Sequence, residues 1–167
     1  MLAGLWLIYF GFGLIVASTA PLVQPIARDL GLSHSAMGSV MGAWPLIYIF
    51  SAIPCGAFLD RVGPRRALFL GAVTVAASAA ARGLSGGHLE LFCAVAILGV
   101  GGPLISVGAP KLIGLWFEGA DRGFAMGLYV TGPTAGNVVA LAGTNAVAMP
   151  LLGGDWRSCL LYTSDAA

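Results

Sequence analysis

The densest group of charged side chains lies in one short run between two apolar segments, from Gly56 to Arg66. Its charged members, which include three of the eight Lys and Arg residues of the chain, are Asp60, Arg61, Arg65 and Arg66. Charge in or beside a bilayer is costly and is usually retained because it has a function. A carboxylate and guanidinium groups on either side of a glycine turn at Gly63 can form ion pairs that open and close. This pattern predicts a hinge or gate.

A second charged turn, with Glu118, Asp121 and Arg122, follows a later apolar segment. Asp60, at the end of a predicted helix, can accept hydrogen bonds from the amino terminus of a helix elsewhere. An arginine of the first run can pair with Glu118 or Asp121 on the same face. Together these groups would form a charge latch that breaks when two parts of the protein move apart. The alternative is a solvated loop that only follows the positive-inside rule.

The composition is that of an integral membrane protein. Of the 167 residues, 58% are hydrophobic and 9% are charged, against roughly 25% charged in soluble domains. So few charges could not cover the surface of a soluble domain. No basic patch is present of the kind that nucleic-acid binding needs. The three cysteines, Cys55, Cys93 and Cys159, lie far apart and predict neither a disulfide framework nor a metal site.

Enzyme chemistry is not indicated. A membrane-embedded enzyme would need paired carboxylates, a serine or cysteine with a base, or a histidine cluster inside the bilayer. The carboxylates Asp60, Glu118 and Asp121 all fall at predicted helix ends. We therefore expect no catalytic residue, no metal and no cofactor. A membrane scaffold or assembly protein without transport activity is the alternative that the sequence leaves open.

The apolar stretches predict an all-α membrane protein with five transmembrane helices and the stub of a sixth. The five ranges are 2–26, 35–58, 65–81, 89–117 and 123–152. At 1.5 Å per residue, about 20 residues cross the roughly 30 Å hydrocarbon core. The first run and the turn at 118–122 carry four basic residues, whereas the alternate loops carry three, Arg28, Arg82 and Arg157. The positive-inside rule then predicts a cytoplasmic amino terminus.

Two short sequences recur at one common offset along the chain. Ala20-Pro21 returns as Ala109-Pro110, and Ala36-Met37-Gly38 returns as Ala125-Met126-Gly127. A three-helix unit used twice is typical of transporters that are built from internal repeats.

The run Gly56-x-x-x-Asp60-Arg61-x-Gly63-Pro64-Arg65-Arg66 resembles the loop between helices two and three of the major facilitator superfamily (MFS). The resemblance implies that residues 1–158 are the amino-terminal half of a twelve-helix secondary transporter. Such a protein moves a small solute across a bacterial-type inner membrane by alternating access. The carboxy-terminal half of the same protein is then a partner that this chain lacks.

Two further segments resemble family signatures. Gly132-Pro133 with Gly136 resembles the helix-five motif of the superfamily, which implies a kinked helix with a small face that a neighbour can approach closely. In the helix-four signature, Val95 occupies the position of the usual arginine, so the resemblance does not imply proton coupling through that helix.

Six side chains could face a central substrate cavity. Aromatic, hydroxyl and amide groups near the middle of the bilayer suit a small polar solute, and a lysine suits a small anion. Packing between helices is the alternative for most of them, and snorkelling to the cytoplasmic interface is the alternative for the lysine. Neither the particular substrate nor a coupled ion follows from the sequence. The six candidates are Tyr9, Thr19, Gln24, Lys111, Thr131 and Asn137.

The last nine residues, Cys159 to Ala167, resemble the translation of a sequencing adapter from transposon-based library preparation. The string Cys-Leu-Leu-Tyr-Thr-Ser-Asp-Ala-Ala arises when an open reading frame runs into that adapter. A genuine sixth helix cut short is the alternative. In either case about ten residues after Arg157 cannot cross a bilayer, so we expect the chain to be a fragment with a non-native tail at 159–167.

Overall fold

The computed structural model describes residues 2–144, 150 and 155–165. Within these residues the chain forms seven helices and no strand. In chain order the helices are α1 (Leu2–Ser18), α2 (Val23–Asp29), α3 (His34–Val62), α4 (Pro64–Leu84), α5 (His88–Trp116), α6 (Gly119–Gly143) and α7 (Trp156–Asp165).

Helices α3, α4 and α5 are each long and apolar enough to cross a membrane. A fourth crossing results if α1 and α2 form one span, which is bent by 51° at the break between them. The prediction of an all-α, multi-pass membrane protein is therefore confirmed. Helix α6 has 25 residues, or about 37 Å at 1.5 Å per residue, and is therefore long enough to cross a membrane. By hydropathy, however, it is not among the candidate spans of the described residues. The fifth span stays a prediction.

The structure corrects the single first helix that was predicted over residues 2–26. The chain leaves the α-helix after Ser18, and tighter bonds of the i to i+3 type follow, such as Leu22 N–H to Thr19 C=O at 3.1 Å. Pro21 explains the break, because it has no N–H to donate to the carbonyl of Ala17. The helical path then resumes in a new direction as α2.

The hinge is much shorter than the predicted loop. Helix α3 continues to Val62, and α4 begins at Pro64, so Gly63 alone separates the two helices. Gly63 closes α3 by donating its N–H to the carbonyl of Leu59 at 2.9 Å, with φ at +89°. Because a side chain is strained at this φ, glycine is needed here. Pro64 fits the first turn of α4, where no N–H is required.

Two further helix bounds differ from the prediction. Helix α4 reaches Leu84, so Arg82 lies inside a helix and not in an outer loop. Helix α6 begins at Gly119, earlier than the predicted residue 123. Most of the predicted end of that helix, at 145–149 and 151–152, lies outside the described residues.

The helices pack in two groups, one of two helices and one of three with α5 at its centre. Helix α1 packs along α6, while α3 and α4 both pack along α5, and α7 lies against α4. A central cluster of buried residues, including Ile15, Leu98 and Ile113, holds these helices together. A second cluster at the α2 end includes Leu22 and Leu91.

Candidate functional site

Asp60, a residue of the predicted latch, forms an ion pair with Lys111, which was predicted to face the substrate cavity. Asp60 lies in the last turn of α3 and Lys111 lies in the last two turns of α5, so the pair joins two packed helices at the end where the hinge lies. Both side chains are open to solvent, with 65% of Asp60 and 45% of Lys111 exposed. An exposed ion pair of this kind contributes at most about 1 kcal/mol to stability, and for that reason it can open readily. Lys111 is thus engaged by a carboxylate and not free.

The arginines of the hinge do not make the predicted ion pairs. Among the described residues the ion pairs are Asp60–Lys111 and Asp29–Arg157, so Glu118 and Asp121 pair with none of the hinge arginines in this structure. The guanidinium of Arg65 instead lies over the ring of Trp116, 5.3 Å from its centroid. The latch contacts that involve Arg61, Arg65, Arg66 and the turn at 118–122 are therefore not formed here.

The predicted helix-five motif lies where α6 approaches α1 most closely. A Cβ atom at Gly132 would lie 3.0 Å from the carbonyl oxygen of Trp6, and one at Gly136 would lie 2.7 Å from the amide nitrogen of Leu14. Gly13 on α1 meets the backbone of Pro133 in the same way. Such contacts leave no room for any side chain, so these glycines let two backbones touch.

Three of the predicted cavity residues lie along this α1–α6 contact. Tyr9 is buried and its ring meets that of Tyr129 edge to face, with the centroids 5.0 Å apart. Thr131 accepts a hydrogen bond from the indole N–H of Trp6 at 2.9 Å. Asn137 is half-buried, and its Oδ1 atom is buried without a hydrogen-bond partner. A buried amide oxygen without a partner is uncommon, and it leaves Asn137 with an unused hydrogen-bond acceptor.

The other three candidates lie apart from that group. Thr19 is buried at the break after α1, Gln24 is exposed on α2, and Lys111 lies at the opposite end of the fold. The structure therefore does not bring the six predicted cavity residues into one site. It distributes them over both ends and the middle of the bundle.

A polar contact that the sequence did not reveal lies between α3 and α5. The hydroxyl groups of Tyr48 and Ser106 are 2.7 Å apart, and Ser51 donates to the carbonyl of Gly99 at 2.7 Å. The ring of Tyr48 also lies over Gly102, where a Cβ atom would meet it at 3.0 Å. The spacing of Tyr48 and Ser51 along α3 does not predict these hydrogen bonds, because their partners come from α5 and meet them only when the two helices pack.

Arg82 is the residue whose environment differs most from the prediction. Only 1% of it is exposed, although it was expected in an outer loop. Its guanidinium donates to the carbonyl of Ile15, to the hydroxyl of Thr19 and to the hydroxyl of Ser78, and its Nε atom has no partner. Ser78 and Arg82 are four residues apart, a spacing that places two side chains on the same face of a helix. This spacing was the one feature of the sequence that indicated a helical position for Arg82.

A second polar cluster joins α2, α7 and the loop after α4. Arg157 pairs with Asp29 at 2.6 Å and donates to the carbonyl of Ser85 at 3.4 Å, while its guanidinium lies 4.3 Å from the ring centroid of Trp156. Asp155 caps α7, and the hydroxyl of Ser158, which donates to it at 2.7 Å, lowers the pKa of the Asp155 carboxyl below its usual value. These contacts hold the far end of the bundle together.

The described residues form an all-α bundle of apolar helices, with charged side chains on both sides of the one-residue hinge at Gly63 and a glycine-lined contact between α1 and α6. These features define a multi-pass helical membrane protein. The comparison with known proteins agrees. A family model described as "Major Facilitator Superfamily" matches residues 5–164, and the chain belongs to this superfamily. The match includes part of the 159–167 tail.

Several named relatives are similar to the chain. It is 31% identical over 136 residues to the "Probable L-galactonate transporter" of Escherichia coli K12, a match that covers 81% of the chain and 29% of the relative. It is 33% identical over 129 residues to the "Probable anion transporter 3, chloroplastic" of Arabidopsis thaliana, covering 76% and 25%. A third relative, "Multidrug resistance protein D" of E. coli K12, is 28% identical over 148 residues, covering 85% and 35%. The matches thus span about a third or less of these relatives.

Proposed function

We propose that the chain is the amino-terminal half of a secondary transporter that moves a small solute by alternating access. Membership in the superfamily and the similarity to proteins named as transporters support this proposal. In this proposal a carboxy-terminal half, absent here, completes the transport path, and residues 159–167 are a non-native tail. The protein resides in a bacterial-type inner membrane, with its amino terminus in the cytoplasm.

The observation that carries the proposal is the Asp60–Lys111 pair beside the one-residue hinge. The pair ties α3 to α5 at the end where α4 begins, and it is exposed enough to exchange partners. When the second half approaches, the carboxylate of Asp60 can turn from Lys111 to the amino terminus of a helix in that half, where the helix dipole favours an anion. The charge latch would then close through Asp60, with Arg61, Arg65 or Arg66 pairing with Glu118 or Asp121 in the turn that also holds Arg122, and with Gly63 keeping the hinge short.

The proposed substrate is a small organic anion. Two of the relatives are named for L-galactonate and for anions, and another, 27% identical, is named "Probable sulfoacetate transporter SauU". In this chain Tyr9, Thr131 and Asn137 offer hydroxyl and amide groups along the α1–α6 contact. Lys111 can meet an anion only in a state in which its pair with Asp60 is open, because the ammonium is otherwise neutralised.

The test needs the full-length reading frame that contains this half. It would be expressed in a strain unable to take up L-galactonate or sulfoacetate, and uptake of each labelled anion would be measured. We expect Asp60→Asn to slow uptake strongly while the protein still inserts in the membrane. Glu90→Gln is the matched control, because it removes an exposed carboxylate at the opposite end of α5. Normal uptake by Asp60→Asn would refute the latch.

The alternative of a scaffold or assembly protein predicts a different result. Such a protein would show no uptake of any solute, and neither Asp60→Asn nor Glu90→Gln would change its behaviour. Uptake by the unaltered protein that Asp60→Asn abolishes therefore separates the two functions.

A further inference from the structure

A cavity of about 270 Å³ opens beside the hinge, at the junction of α3, α4 and α5. The turn at Gly63 and Pro64 and the guanidinium-bearing residues Arg65 and Arg66 form one side. Leu112, Leu115 and Trp116 of α5 form the other. The cavity thus combines two permanent positive charges with an apolar floor.

The positive charge in this cavity is uncompensated. Arg65 and Arg66 are exposed, and neither has a carboxylate within ion-pair distance among the described residues. The ring of Trp116 holds the guanidinium of Arg65 in place by a cation–π contact at 5.3 Å, which leaves its N–H groups free to donate. Helix α4, 21 residues long, begins here without a side-chain cap, so its positive end adds to the same field.

An apolar groove continues from the cavity along the outside of α4. It encloses about 380 Å³ and is lined by Arg65, Arg66, Phe69 and Leu70. Phe69 is 68% exposed, and Val73, one turn further into the span, is also exposed. Leu115, 67% exposed, borders the neighbouring cavity. A ligand that fits both spaces must carry an anionic group above a long apolar chain.

We propose that this cavity binds the phosphate of an anionic phospholipid and that the groove along α4 receives one of its acyl chains. Two guanidinium groups are suited to a phosphate, because each can donate two parallel hydrogen bonds to its oxygens. Basic pockets between helices at the membrane surface recognise such headgroups. The adjoining apolar groove favours a lipid over a soluble phosphate, because an acyl chain can lie along Phe69 and Leu70 while the headgroup meets the two arginines. The site does not depend on transport activity.

The test measures which lipid the full-length protein retains. The purified protein is equilibrated in micelles that contain equal amounts of phosphatidylglycerol and phosphatidylcholine with the same acyl chains, and native mass spectrometry gives the ratio bound. We expect the unaltered protein to prefer phosphatidylglycerol. Each arginine near a membrane surface contributes a factor of roughly five in anionic lipid binding. The double variant Arg65→Gln/Arg66→Gln should therefore lose most of this preference.

Two further variants guard against a trivial result. Arg65→Lys/Arg66→Lys keeps the charge and should retain most of the preference, which separates charge loss from misfolding. Arg28→Gln removes an exposed arginine at the opposite end of the bundle and should leave the ratio unchanged.

Three outcomes would overturn the proposal. One is an unchanged lipid ratio in the double glutamine variant, and another is an equal loss in Arg28→Gln. The third is displacement of bound phosphatidylglycerol by excess glycerol phosphate, since this would show a site for a soluble phosphate ester. Conversely, if Phe69→Gln weakens lipid retention and glycerol phosphate does not compete, the acyl groove is supported.

Discussion

The guanidinium of Arg82 donates a hydrogen bond of 2.8 Å to the hydroxyl of Thr19, and this bond joins α4 to the break between α1 and α2. The same Nη1 atom donates to the carbonyl of Ile15 at 3.2 Å, and Nη2 donates to Ser78 at 3.2 Å. No carboxylate within the described residues lies within ion-pair distance of Arg82. Its charge is therefore met by neutral acceptors and by the negative end of the α1 helix dipole.

Replacing Arg82 by methionine should destabilise the bundle. The change leaves the Ile15 carbonyl and the Thr19 hydroxyl without this donor in a buried place, and such a loss costs about 1–3 kcal/mol. The free energy of unfolding in mixed micelles measures the effect, and hydrogen exchange at residues 17–23 should rise. Arg28→Met, on the exposed face of α2, should stay within about 0.5 kcal/mol of the unaltered protein. A more stable Arg82→Met would mean that burying the charge outweighs its hydrogen bonds.

Adding a methyl group at Gly136 should separate α1 from α6. The new Cβ atom would lie 2.7 Å from the amide nitrogen of Leu14, and backbone cannot yield as a flexible side chain can. Gly136→Ala should therefore lower stability by about 1–3 kcal/mol. Gly127→Ala, on the same helix with nothing within 4 Å, should instead stabilise by roughly 0.5–1 kcal/mol through helix propensity. Equal effects of the two substitutions in thermal unfolding would contradict the close helix contact.

The Asp60–Lys111 pair should show coupling in function more than in stability. Asp60→Asn and Lys111→Gln should each change the unfolding free energy by no more than about 1 kcal/mol, because both side chains are exposed. In the full-length protein each should slow uptake, and the double variant should be no slower than the slower single one. Their effects then fail to add, as expected for groups acting as a unit. Fully additive rate losses would show that the two side chains act separately.

On the proposal that residues 159–167 are a non-native tail, the native sequence after Ser158 should continue an apolar span. In the structure Cys159 and Leu160 are buried, and the Cγ atom of Leu161 would lie only 2.8 Å from a Cβ atom at Gly83. Positions 159 and 160 thus lie in the apolar cluster that includes Leu22 and Leu91, position 161 faces α4, and all three favour small or apolar side chains. Sequencing the locus through this point should replace the string from Cys159 to Ala167 by a longer apolar stretch. Recovery of the same string from the genomic locus would refute the adapter origin of the tail.

Sequence reasoning succeeded where a property is carried by residues close together in the chain. Hydropathy over windows of about 20 residues predicted the helical membrane class. Gly63 followed by Pro64 predicted a turn, and the motif around Asp60 pointed to the superfamily that the family match confirms. The turn proved tighter than predicted because α3 keeps its hydrogen bonds up to Val62.

Reasoning from the sequence failed for Arg82. A run of small and polar residues after it reads as a loop, and an arginine is rarely buried without a carboxylate. Burial became possible only because α1 ends beside α4 and presents the Ile15 carbonyl and the Thr19 hydroxyl to the guanidinium. Nothing within a few residues of Arg82 records that neighbour.

The sequence by itself thus determined the membrane class, the three spans α3, α4 and α5 and the charged hinge, because these depend on local hydropathy and on short-range turn chemistry. Only the tertiary structure decided which charges meet. Asp60 pairs with Lys111, 51 positions away, and Asp29 pairs with Arg157, 128 positions away, whereas Arg65 and Arg66 line an open cavity. Partners at such separations are set by the order in which the helices pack and by the angles at which they cross. Many different side-chain patterns are compatible with the same packing, so the sequence alone does not reveal these partners.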